Sequence, residues 1–379
     1  MGFVRSIEET RPCPGLSVPV VSVLDEHAGL IEEDQRALVR FVIQDGHGAD
    51  VIFAAGTTGE WNRLPNAARQ RVIQVCAEEV AKANSDLAHG FSHGRSVEAW
   101  AGVTALTARE TLENLDFAIA HGADAAVLAP LSIQGIGDPV RFVAHDVADL
   151  LDARDRRIPV YLYDNADIAI DPKVPHIRTR QVKALSRLDF VRGIKVSASR
   201  RVLGNYTKAA AGFRDRGEFG IYVGNAMLIF DLFRPRSGWL GAIDERWNRY
   251  RLRGGLPIGV VAGPANALPR EWARAWQVCR AGDAERMQQV RTLLAAFQSA
   301  ALAAGPKHLI ACLKRGLLAQ GVIRSAAVAL GTPPLAADAA LRFDAAFAAL
   351  RAKSQEWIGE PWVTQPPGEH GAARPGSLL

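Results

Sequence analysis

The sequence predicts an α/β fold, a (β/α)8 TIM barrel with additional C-terminal helices, on three observations. Between about residues 17 and 265, short apolar runs alternate with amphipathic stretches of helical period, the pattern of successive parallel βα units. Eight such runs occur, the number that closes a barrel. No glycine fingerprint for a nucleotide follows the first run, which leads instead into Leu24, Asp25 and Glu26; that argues against a doubly wound open sheet, the alternative.

In order, the expected strands are Val18–Val23, Val51–Ala54, Asp86–Gly90, Ala125–Leu128, Pro159–Tyr163, Val191–Lys195, Gly220–Val223 and Ile258–Val261. At 379 residues the chain exceeds the ~250 that one barrel needs and falls short of two. Residues 1–14 read as an N-terminal extension, and 15–270 as the barrel. An insertion at about 234–254 carries Arg234, Arg236, Trp239, Trp247, Arg249, Arg251 and Arg253. It joins a helix to a strand, which puts it on the N-terminal face as a solvated or subunit-contact segment. Residues 271–355 read as an Ala-rich helical region, and 356–379, with its Pro and Gly residues, as a disordered tail.

Apolar residues make up 48% of the sequence and charged ones 22%, enough for a large core without metals or disulfides. The net charge of +5 is spread along the chain; no basic run suggests nucleic acid as a partner, and mild basicity suits a small anionic substrate. Cys13, Cys76, Cys279 and Cys312 are far apart and form no CxxC pair, so neither zinc nor a disulfide framework is expected. With no apolar leader and no long apolar stretch, the expectation is a cytoplasmic protein with no membrane partner.

Three local features carry chemistry. The run Val191-Arg192-Gly193-Ile194-Lys195 ends the sixth strand on one of only eight lysines in the chain. A lysine must be neutral to attack a carbonyl, and at its reference pKa only about one in 2,500 is neutral at pH 7. A dry barrel mouth lowers that pKa, at about 4 kcal/mol for ~3 units. On strand position alone, Lys195 reads equally well as a side chain snorkelling to solvent. Tyr163 ends the adjacent fifth strand, where a phenol could shuttle protons or simply cap the core. Gly56-Thr57-Thr58-Gly59-Glu60 follows the second strand and opens a helix; its N–H groups and hydroxyls suit a carboxylate, although a plain turn has the same composition.

As an ordered set, these features resemble the dihydrodipicolinate synthase and N-acetylneuraminate lyase family of class I, Schiff-base-forming barrels. The matching residues are the GTTGE of 56–60, Tyr163, Gly193-Ile194-Lys195, Gly224-Asn225, and the run from Gly259 to Asn266, and the similarity extends from about Pro14 to Leu350. The resemblance implies that Lys195 forms an imine with pyruvate or a related 2-keto acid. It also implies that Thr57 and Thr58, with the Gly56 loop, hold the substrate carboxylate, and that Tyr163 moves protons. Once protonated, the imine is a sink for the electrons released at C3.

Departures from the family pattern are equally informative. Asp164, Asn165 and Ala166 follow Tyr163 where the family shows Asn and a nearby Pro. Ile168 replaces the arginine that synthases use for the aldehyde's carboxylate, Ala129 to Ser132 lacks their paired tyrosines, and Val196 replaces the usual acid after the lysine. Dihydrodipicolinate synthesis is therefore not the expected activity. Rim side chains are expected to be Ser92, His93, Arg95, Asp164, Asn165, Ser197, Asn225 and Asn266, a polar set that suits a hydroxylated 2-keto-3-deoxy sugar acid. His89 and His93 do not have a helix-face metal spacing on a strand end, so no metal and no cofactor is expected. The expectation is a homo-oligomeric lyase, tetramer or dimer, acting as aldolase or dehydratase. The alternative is a ligand-binding or regulatory barrel that binds a keto acid with little turnover.

Overall fold

In the computed structural model of the chain, the residues described are 10–87, 96–210, 218–234, 239, 243 and 256–358. Eight parallel strands pair in chain order and close on themselves: β1 (Gly15–Pro19), β2 (Val51–Ala54), β3 (Glu98–Gly102), β4 (Ala125–Leu128), β5 (Val160–Asn165), β6 (Val191–Ser197), β7 (Gly220–Val223) and β8 (Gly259–Val261). The chain is a (β/α)8 barrel.

Side chains alternate along each strand between the barrel interior and the surrounding helices. Leu16, Ile52, Ala101, Leu128, Leu162, Ile194, Val223 and Val260 belong to the shell packed under the helices. Phe53, Trp100, Val127, Tyr161, Tyr163, Tyr222 and Val261 form a separate cluster inside. Trp100 stacks on Tyr161 at 4.0 Å, and Tyr222 sits edge-on to both at 5.1 and 5.5 Å. The Tyr222 hydroxyl donates to the Cys13 carbonyl at 2.8 Å. These rings fill the barrel from below and leave its C-terminal end as the place for a site. Inward-facing glycines make room for them: a Cβ on Gly193 would lie 2.9 Å from the Tyr161 ring, and one on Gly259 would lie 2.5 Å from the Tyr222 ring.

The third strand departs from the expectation. Asp86 and Leu87 end a 22-residue helix, α2 (Asn66–Leu87), residues 88–90 lie outside the described part, and the strand is Glu98–Gly102. The buried face of α2, through Val72, Cys76, Val80 and Ala83, keeps a helical spacing that carries the helix past the expected break. Meanwhile Glu98-Ala-Trp-Ala-Gly102 lacks β-branched residues, and becomes a strand because packing covers both of its faces. The first strand also begins earlier than expected, at Gly15, where the Asp50 carboxylate accepts the Leu16 N–H at 2.8 Å.

The outer ring closes with the helix Pro269–Ala281, beyond the boundary expected at residue 270. Three more helices, Ala284–Ala304, Leu309–Ala319 and Ala337–Ile358, follow. They share a core in which the Phe297, Phe343 and Phe347 rings lie 5.7 to 6.1 Å apart. Residues 1–9, nearly all of the Arg- and Trp-rich insertion beyond Arg234, and the tail from residue 359 lie outside the described residues. Among those described, no helix is long and apolar enough to cross a membrane.

Candidate active site

Lys195 points into the barrel mouth from β6, in register with Tyr163 on β5 and Tyr222 on β7. Its residue is 5% exposed. The Nζ lies 3.8 Å from the centre of the Tyr163 ring and 4.9 Å from that of Phe53. Burial among these rings lowers the lysine pKa below its ordinary value, and the nearby Tyr163 opposes the shift only in part.

The phenol of Tyr163 is surrounded by polar groups from three strand ends. Asn165 Nδ2 donates to the phenol oxygen at 3.0 Å, Ser197 Oγ donates at 3.4 Å, and Thr57 Oγ1 lies 3.3 Å away. Burial pushes the phenol pKa up, but the charge of Lys195 and the hydrogen bonds that Ser197, Thr57 and Asn165 can make to the phenolate outweigh it, leaving the group below its ordinary value. The Ser197 hydroxyl fits there because residue 224 is glycine, where an added Cβ would lie 2.1 Å from Oγ.

The loop after β2 is bent tightly. Ala55 (φ 52°) and Glu60 (φ 60°) are both left-handed without being glycine, a strain that the surroundings must hold. A Cβ at Gly56 would lie 2.9 Å from the Phe53 ring, so the turn needs glycine where it passes over that side chain. Ser22 Oγ donates to the Gly59 carbonyl at 2.8 Å. The Glu60 carboxylate is wholly buried and accepts from Lys314 Nζ at 2.6 Å, Thr332 Oγ1 at 2.6 Å and the Ala329 N–H at 2.8 Å. Thr57 faces Tyr163, whereas Thr58 faces the turn after β8, where a Cβ on Gly263 would lie 3.2 Å from Thr58 Oγ1.

Lys195, Tyr163, Thr57, Asn165 and Ser197 therefore converge on one mouth, with Gly56 and Thr58 in the adjoining loop. Asn225 is exposed at the end of β7, beside Gly224. Two expected rim residues are elsewhere. Asp164 follows Tyr163 directly, so alternation turns it toward the helices, where its carboxylate meets His176 Nδ1 at 2.8 Å and accepts the Ile177 N–H at 2.8 Å. Asn266 is buried with its amide committed to backbone: it accepts from Val21 N and donates to the Pro19 and Gly263 carbonyls. Ser92, His93 and Arg95 lie outside the described residues. Ile168 packs against the interior cluster that contains Tyr163, an apolar element in a rim expected to be polar. A separate cleft of about 760 Å³ lies between the loops after β4 and β5, lined by Leu131, Ile170 and Arg178 among others, and does not include Lys195.

Sequence reasoning missed Lys314 and Ser22, which brace the β2 loop from distant segments. Nothing local marks either one; only the closed tertiary structure brings them to Glu60 and Gly59.

Fold and site together define a class: closed (β/α)8 barrels that present a buried lysine beside a tyrosine at adjacent strand ends. Comparisons with known proteins show what the chain is similar to. No protein-family profile matches the chain. Among curated proteins, a 4-hydroxy-tetrahydrodipicolinate synthase of Syntrophotalea carbinolica is 38% identical over 68 residues, which are 18% of this chain and 22% of that protein. An uncharacterised DapA-like lyase of Halobacterium salinarum is 28% identical over 188 residues, 48% of this chain and 53% of that one. The chain thus matches from about a fifth to about half of the length of these curated relatives. Among solved structures, dihydrodipicolinate synthase of Bacteroides thetaiotaomicron superposes with a TM-score of 0.70 at 20% identity, covering 90% of this chain and 99% of that one. YagE, a prophage protein of the dihydrodipicolinic acid synthase family from E. coli K12 solved in complex with pyruvate, gives 0.69 at 19% identity, covering 89% and 98%. At these identities the structural likeness is one of fold. The chain thus shares its fold with proteins of the dihydrodipicolinate synthase family, and about half of its sequence is similar to a DapA-like lyase.

Proposed function

We propose that the protein is a lyase acting on a 2-keto acid through a Schiff base at Lys195. It either breaks or forms an aldol bond involving pyruvate, or dehydrates a 2-keto-3-deoxy sugar acid. The observation that carries the reading is the Lys195 amine, buried among aromatic rings against Tyr163 with its pKa depressed. Such an amine is neutral and nucleophilic more often than an exposed one.

The neutral amine adds to the C2 carbonyl to give a carbinolamine. Tyr163 delivers its proton to the departing hydroxyl, water leaves, and a protonated imine remains. The imine nitrogen then accepts the electron pair freed when the C3–C4 bond breaks, or when a C3 proton departs ahead of water loss from C4, and Tyr163 takes up or returns the proton. Thr57 and Thr58, with the N–H groups of the Gly56 turn, hold the substrate carboxylate. Ser197, Asn225 and His93 complete our proposed substrate contacts, and Asp164, turned away from the mouth, is removed from that set. Because the imine is the electron sink, the reaction needs no metal or other cofactor. Ile168, where an arginine would meet a second carboxylate, favours a substrate other than the one used in dihydrodipicolinate synthesis.

Borohydride reduction in the presence of pyruvate is the test. The expected result is a stable adduct on Lys195 that Lys195→Ala abolishes; the absence of an adduct on the wild-type chain would end the reading. Pyruvate release from a panel of 2-keto-3-deoxy sugar acids then separates aldolase from dehydratase, which yields a dicarbonyl product and no pyruvate. We also propose a cytoplasmic homo-oligomer, tetramer or dimer, which light scattering on the purified chain distinguishes from a monomer.

A further inference from the structure

The phenol of Tyr163 has more partners than a tyrosine needs, and their donor and acceptor roles can be assigned. Asn165 ends β5 two residues beyond Tyr163, so alternation returns it to the same inward face. Its Oδ1 accepts the backbone N–H of Asp167 at 3.1 Å. A backbone N–H can only donate, so this contact fixes which end of the amide is oxygen, and the Nδ2 facing Tyr163 at 3.0 Å is a donor. Ser197 Oγ, seated in the notch left by Gly224, directs a second donor at the same phenol oxygen from 3.4 Å. With two donors pointing at it, that oxygen can direct its own proton to Thr57 Oγ1 at 3.3 Å or, before the imine forms, to the neutral Lys195 amine that also hydrogen-bonds it.

We infer that Asn165 is a positioning residue that sets the direction of proton transfer at Tyr163: its locked amide, aided by Ser197, makes the phenol oxygen an acceptor and sends the phenol proton to Thr57 or to the bound substrate. This rests on the Schiff-base reading and gives Asn165 a role through Tyr163 in place of direct substrate contact. Donors at an oxygen stabilise its anion, because each N–H or O–H dipole interacts more strongly with phenolate than with phenol. Tyr163 is thereby poised as a base for the C3 proton of the imine. Thr57, accepting from Tyr163, keeps its own proton to donate to the substrate carboxylate. All the groups of this relay that we assign come from a single chain: Thr57 from the β2 loop, Tyr163 and Asn165 from β5, and Ser197 from β6.

The experiment follows exchange of the pyruvate methyl protons for deuterium, by proton NMR, across a pH series, in the wild type, Asn165→Ala, Asn165→Asp and Ser197→Ala. Exchange requires imine formation and a base at C3 but no second substrate. The expected result is that the acid limb of the rate profile moves up by about one pH unit in Asn165→Ala, roughly tenfold slower exchange at neutral pH, while the KM for pyruvate stays within about twofold. Asn165→Asp, which turns a donor into an acceptor while keeping the Asp167 contact, should move the limb further in the same direction. Ser197→Ala should move it less. An unshifted limb in both Asn165 variants, or a raised KM with the limb unmoved, overturns the inference. Borohydride trapping of the same samples keeps the two readings apart: a trapped wild-type chain with unshifted variants refutes the role of Asn165 alone, whereas an untrapped wild type refutes the imine.

Discussion

Lys314 reaches across 254 residues of chain to place its ammonium 2.6 Å from the Glu60 carboxylate, with both side chains wholly buried. The contact joins the helix Leu309–Ala319 to the turn that carries Gly56, Thr57 and Thr58. Burial lowers the Lys314 pKa and Glu60 opposes the shift. The remaining ammonium and carboxylate capacity is spent on neighbouring groups, since Lys314 also donates to the Ala327 carbonyl at 2.7 Å and the other Glu60 oxygen takes Ala329 N–H and Thr332 Oγ1. The helix Leu309–Ala319 and the segment after it thus brace the strained loop that follows β2. That ties them to the candidate site despite their distance from Lys195 in sequence.

Removing one partner leaves a bare charge in the interior. Lys314→Met should lower stability by about 3–5 kcal/mol, read as the midpoint shift in urea unfolding. The double variant Lys314→Met/Glu60→Gln should recover part of that loss, because no uncompensated charge remains. A single variant within ~1 kcal/mol of wild type would show that the pair is not a brace.

Lys195 should be a stability liability. Its folded pKa lies below the unfolded value, so the native state disfavours the proton. The penalty is fully present below the folded pKa and disappears as pH rises from there to the unfolded value near 10.5. Lys195→Met should therefore stabilise the fold at pH 7 by roughly 1–3 kcal/mol while abolishing trapping. The gap between the two proteins should close as the pH of the melt is raised, and a Lys195→Met chain less stable than wild type at neutral pH would contradict the burial argument.

Gly224 is required by its neighbour. A Cβ there would lie 2.1 Å from Ser197 Oγ and 3.0 Å from the Val196 carbonyl. Gly224→Ala should cost about 1–3 kcal/mol in thermal or urea melts and turn the Ser197 hydroxyl away from Tyr163, slowing pyruvate exchange. Pairing it with Ser197→Ala should restore most of the stability but not the exchange rate.

Asp164 should matter for folding rather than binding. Burial raises its pKa, against the hydrogen bonds from Ile177 N–H and His176 that favour the carboxylate. Asp164→Ala should destabilise by about 1–3 kcal/mol, since it orphans the Ile177 N–H. It should leave the KM for pyruvate within about twofold of wild type; a large rise in KM would return Asp164 to the substrate site.

By itself, the sequence determined the barrel, most strand positions, and the placement of Lys195 and Tyr163 at adjoining strand ends. Those follow from local periodicity and from chain order, since consecutive parallel strands become neighbours. Only the tertiary structure decided that β5 runs past Tyr163 to Asn165, paired with Ser197 on β6, so that strand alternation turns Asp164 away from the mouth and Asn165 into it. It also decided that Glu98–Gly102 is a strand, since a segment poor in β-branched residues is held extended by what covers it rather than by preference. The Glu60 to Lys314 pair was likewise beyond local reading: a contact between segments 254 residues apart exists only once the barrel has closed and the last helices have packed against it.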